Sequence, residues 1–197
     1  MSLSNPTLPR TLVSIPDTGP AARVLWTALL VVVGVTVIAL SAQVRIELFP
    51  VPITGQTLGV LLVAAAYGSR LGGATVGAYL IAGIEGAHVF QGGTFGVKVL
   101  GGPTGGYLIG FLVAALIVGW LAERGWDRVP WLTVAAMVIG SLVIYAFGVS
   151  VLSGFVGWGK VWALGVQPFL LGDAIKVAIA AGVLPAAWRL KQWGAPR

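Results

Sequence analysis

Two charged residues stand in a stretch that is otherwise apolar. In the run LLGDAIKVAIA, Leu170 to Ala180, Asp173 and Lys176 lie three positions apart, which places both on one face of a helix. Exposed to lipid, each costs roughly 2.5–3.5 kcal/mol on insertion scales, so the pair must face other helices or a wet cavity. Two roles suit it. A mutual salt bridge locks helices together, although an apolar pair does so without the desolvation cost. Otherwise the carboxylate accepts, and the ammonium donates, hydrogen bonds to a small polar ligand. Catalysis is disfavoured, because no Ser/His/Asp or Cys/His set and no second intramembrane carboxylate accompanies the pair.

Two further segments carry uncommitted polar groups. In PVPITGQTLGVLL, Pro50 to Leu62, the prolines fix an extended entry, Thr54 or Gly55 can cap, and Gln56 and Thr57 open a helix. In FQGGTFGVKVLGGPTGGYLIGF, Phe90 to Phe111, the glycines make a turned loop and Pro103 opens the next helix. Tyr107 and, further back, Tyr79 are aromatics of ambiguous role, while Lys98 is either a solvated loop cation or an anion contact over a cavity. Gly101, Gly102, Gly105 and Gly106 are only loosely like a phosphate cradle. The Walker Lys-Ser/Thr pair is missing, so this chain is not expected to bind nucleotide. With no cysteine and one histidine, His88, no metal cluster is expected either.

The elements that must position these residues belong in a bilayer. Hydrophobic residues make up 57% of the 197 and charged ones 9%, far below the quarter or so found in soluble domains. The 29 glycines suit close helix packing in lipid. Apolar runs fall at 24–42, 58–67, 71–84, 103–121, 130–152 and 168–188. The second and third are short, and are either one span broken at Gly68-Ser69-Arg70 or a hairpin of two helices. Charge favours the hairpin. Six spans with both termini cytoplasmic put Arg10, Arg23, Arg70, Arg124, Arg128, Arg189, Lys191 and Arg197 inside, and only Arg45, Lys98 and Lys160 outside, as the positive-inside tendency requires. The same scatter explains the net charge of +6 without nucleic acid. The expectation is an all-α integral membrane protein with six transmembrane helices over residues 24–190. Residues 1–23 form a disordered cytoplasmic tail and 191–197 a short cytoplasmic one. The loops Ser41–Gly55 and Glu85–Gly102 should roof a cavity open to the outside.

In this order and spacing, PVPITGQTLGVLL, GGPTGGYLIGF and the Asp-x-x-Lys of GDAIK resemble the BioY family, the biotin-specific S-components of energy-coupling factor (ECF) importers. The similarity runs from the first span to the sixth. The resemblance implies an ECF S-component-like bundle in the cytoplasmic membrane that binds biotin near the outer face. Its partners would be a transmembrane scaffold subunit and two cytoplasmic ATPase subunits, which alone use ATP; no cofactor is implied. Asp173 and Lys176, with Gln56, Gln91, Tyr79 and Tyr107 around them, would then meet biotin, Lys176 at either the ureido oxygen or the carboxylate. S-components commonly present an Ala-x-x-x-Ala surface on the first helix; here Gly34 is isolated and Ala39 and Ala42 are three apart, leaving the scaffold contact unassigned. The alternatives are an S-component for another vitamin or an ion-coupled secondary transporter using Asp173.

Overall fold

Whether residues 56–84 cross once or turn back decides the architecture, and a single hydrogen bond answers it. The computed structural model describes residues 11–13, 15–16 and 19–193, so the expected tails fall largely outside the described residues. Helix α1 spans Pro20–Gln43 and starts four residues before the expected run, at a proline suited to a first helical turn. Helix α2 spans Gln56–Ile84 but is broken at Gly68, with φ 81° and ψ 178°. A straight helix would separate Gln56 from Tyr79 by roughly 34 Å, yet Gln56 Nε2 donates to the Tyr79 hydroxyl at 2.7 Å. The two halves therefore lie side by side as a hairpin. They approach so closely that a Cβ at Gly72 would sit 2.9 Å from Ala64 Cα.

The reversal is capped from elsewhere in the chain. Glu123 Oε1 accepts from both the Ser69 amide, at 2.7 Å, and the Ser69 hydroxyl, at 2.8 Å. Helix starts leave such amides without partners, and the Glu123 carboxylate supplies one. Glu123 follows α4, Gly105–Ala122, after the four-residue α3, Val97–Leu100. Helix α5, Pro130–Val156, again begins on a proline. A short α6, Trp158–Gly165, and a tight turn at Gln167–Phe169 lead into α7, Leu170–Trp193. Five of these stretches are long and apolar enough to cross a membrane, and the hairpin brings the helices of the bundle to six.

The core sits where the hairpin meets α4 and α5, with Val60, Leu61, Ala64, Val76, Ala114, Val118, Met137 and Ile144 buried. Helices α1 and α7 flank it and turn apolar faces outward, among them Leu25, Leu29 and Val32 on α1 and Leu171, Ile175 and Ile179 on α7. Such faces belong against lipid or another membrane helix. At the end of the bundle that holds Gly68, Val13 N donates to the Ala66 carbonyl at 3.0 Å, and Lys191 Nζ donates to the Leu12 carbonyl at 2.7 Å. Nearby, the buried Asp127 accepts from the Trp188 indole. Burial pushes the Asp127 carboxyl above its usual range, against the pull of the Trp188 hydrogen bond and the Arg128 charge. At the opposite end, β1, Arg45–Ile46, pairs antiparallel with β2, Ile53–Thr54, Arg45 facing Thr54.

Candidate ligand-binding site

Beneath the β1–β2 turn lies a cavity lined by residues of α2, α4, α5 and α7. Its walls are mostly apolar: Val51, Pro52, Phe90, Val99, Leu108, Phe111, Ile144 and Phe169. Its charged groups come from α7, which brings Asp173 and Lys176 against Tyr145 of α5. Lys176 Nζ donates to Asp173 Oδ1 at 2.9 Å, and the two side chains are only 14% and 13% exposed. The Tyr145 hydroxyl donates to the other oxygen, Asp173 Oδ2. The carboxylate is thus held by one donor on each oxygen, and the triad as a whole is electrically neutral. Lone pairs remain on both Asp173 oxygens, and two ammonium protons remain on Lys176, to meet a ligand.

The other expected residues fall into place differently. Gln56, 3% exposed, opens the hairpin at the cavity wall. Its amide nitrogen is committed to Tyr79, whose hydroxyl donates onward to the Val89 carbonyl at 3.0 Å. Tyr79 therefore stands behind Gln56 and does not border the cavity. It orients the Gln56 amide and packs edge-on against Phe90, ring centres 5.5 Å apart. Tyr107, from the start of α4, lines the cavity with its ring and spends its hydroxyl on the Gly165 carbonyl at 2.7 Å. Gln91 sits at the edge on a tight turn, Gln91–Gly93. Lys98 is exposed on α3, while its neighbour Val99 faces in. Thr57 and Ser141 reach a smaller recess shared with Asp173 and Lys176.

Tyr145 is the residue that sequence reading overlooked, along with Ser141 and Phe169. A signal was present: a buried tyrosine hydroxyl in an apolar span requires a partner, and the intramembrane charged groups were the available ones. What the sequence could not provide was the register of α5 against α7, 28 positions apart.

A family model described as the BioY family matches residues 15–193. The chain is 39% identical over 169 residues to a protein of Thermotoga maritima named biotin transporter BioY, covering 85% of this chain and 92% of that one. A probable biotin transporter BioY of Pyrococcus horikoshii is 38% identical over 151 residues, 77% of this chain and 89% of that one. The biotin transporter BioY of Rhizobium etli is 34% identical over 165 residues, with shares of 80% and 86%. The fold matches the crystal structure of the S-component for biotin from an ECF-type ABC transporter with a TM-score of 0.74, at 22% identity, over 91% of this chain and 97% of that one.

Proposed function

The chain belongs to the BioY family, and on that premise we propose that it binds biotin and serves its uptake as the substrate-binding subunit of an ECF-type importer. The observation that carries this reading is the neutral Asp173–Lys176–Tyr145 triad at one side of an apolar cavity. Biotin matches it in kind. Its ureido ring is uncharged but strongly polar, with two N–H donors and a polarised carbonyl, and its thiophane ring and valeryl chain are apolar. Asp173 accepts from ureido N–H groups and Lys176 donates to the ureido oxygen. Gln56, braced by Tyr79, offers its amide oxygen, while Tyr107 and Phe169 pack the apolar part. An uncharged ligand head leaves the Asp173–Lys176 pair intact, which avoids stranding a buried charge.

The wider assembly follows from the same family reading. In this reading the chain crosses the cell membrane six times, with both termini on the cytoplasmic side and the cavity toward the outside. A scaffold membrane subunit and two ATPases couple ATP hydrolysis to release of biotin inward; the chain itself is a transporter component and not an enzyme. The test is direct titration of the purified protein in detergent with biotin, and with thiamine and riboflavin as competitors. Saturable biotin binding at micromolar ligand or below, undisturbed by the other vitamins, is expected. No biotin binding, or equal competition, rejects the reading.

A further inference from the structure

The cavity has a second compartment that the triad does not reach. Pro52 and Gln91 line the cavity and also an open vestibule beside it, which Arg45 and Glu47 line as well. Arg45 is held there by construction. Its backbone pairs with Thr54, itself a cavity residue, and its guanidinium comes so close to Gly92, the neighbour of Gln91, that a Cβ at 92 would collide with Nη1. Gly92 has φ +66°, a conformation glycine adopts freely. The Arg45 Nε and Nη2 donate to Glu47 Oε1 at 3.2 and 2.8 Å. Nη1 faces Gly92 and, among the described residues, donates to nothing. Arg45 is 32% exposed and Glu47 79%, so the glutamate is well solvated and its hold on the guanidinium is weak.

Resting on the biotin reading, we propose that Arg45 is the specificity residue for the ligand's carboxylate, so that the site distinguishes a free acid from its neutral amide at the mouth. Inside, the triad is already neutral, and Lys176 can serve a second anion only by weakening its bond to Asp173. Pro52 and Gln91 are common to the cavity and the vestibule, so a ligand whose polar head engages the triad can extend its other end along them toward Arg45. The guanidinium can offer a planar fork of N–H donors to a carboxylate. Glu47 yields because it is exposed and can be rehydrated at little cost.

The experiment compares biotin with biotinamide by calorimetric titration, using the full-length chain and the variants Arg45→Gln and Glu47→Gln. The native chain is expected to prefer the acid by about 10-fold to 100-fold, the range of one charge-assisted contact. Arg45→Gln should weaken acid binding by that factor and leave amide binding unchanged. Retained amide affinity also shows that this variant is folded. Glu47→Gln should leave amide binding unchanged and keep or strengthen the preference for the acid. Equal affinity of the native chain for both ligands, a parallel loss of both in Arg45→Gln, or loss of the preference in Lys98→Ala instead, overturns the assignment of Arg45 while leaving biotin binding standing. A native chain that binds neither ligand removes the biotin reading and this inference with it.

Discussion

At Asp173, three side chains from two helices share one proton-rich corner: Lys176 on one carboxylate oxygen and Tyr145 on the other. Asp173→Asn and Lys176→Ala each remove a charged partner and are expected to weaken biotin binding by about 1.5–3 kcal/mol, the usual worth of a hydrogen bond to a charged group. Tyr145→Phe should cost less, about 0.5–1.5 kcal/mol, because the carboxylate keeps its ammonium. Titration of the three variants checks the order, and unchanged affinity in all of them would make the triad a structural brace. Asp173 and Lys176 were legible because charge inside an apolar run is anomalous on its face. Tyr79 is less legible for the opposite reason: a tyrosine's amphipathic side chain suits a cavity wall and the layer behind it equally, and only the 2.7 Å bond to Gln56 reveals which it occupies.

The element that gives the cavity its shape is the hairpin within α2. Its existence was readable from the Gly68-Ser69-Arg70 interruption and from the placement of Arg70, since a single long span would bury that cation. Its detail was not, because the reversal depends on Glu123, which sits on the far side of α4 in the chain. Gly68 holds φ 81° and ψ 178°, backbone open almost only to glycine. A Cβ there would also lie 2.7 Å from Glu123 Oε1. Gly68→Ala is therefore expected to lower stability by about 1–3 kcal/mol or more. Gly77→Ala, in the helical second half with open space around it, should be neutral or mildly stabilising. Thermal unfolding in detergent compares them, and equal melting temperatures would contradict the assigned role of Gly68. The β1–β2 turn and the α6 helix, in contrast, carry no periodic pattern long enough to announce them; the run around Trp158 reads only as an interfacial belt.

For the molecule as a whole, orientation across the membrane has a direct test. The chain contains no cysteine, so single cysteines report cleanly. The six-span reading puts Arg124 on the inner side and Lys160 on the outer, so a membrane-impermeant thiol reagent applied to intact cells should label Lys160→Cys and spare Arg124→Cys until the membrane is opened. The reverse pattern would invert the topology and place the cavity mouth in the cytoplasm. The capping of Ser69 by Glu123 bears on the same whole in another way, through the order of its biogenesis. The amide and hydroxyl of Ser69, beside Arg70 at the reversal, take their protein partner from Glu123, 54 positions further along the chain. Their partner is translated only after all of α4 has followed. The cap on the hairpin is therefore completed only once α4 has been synthesised, which makes closure of the reversal a late event relative to the two halves it joins.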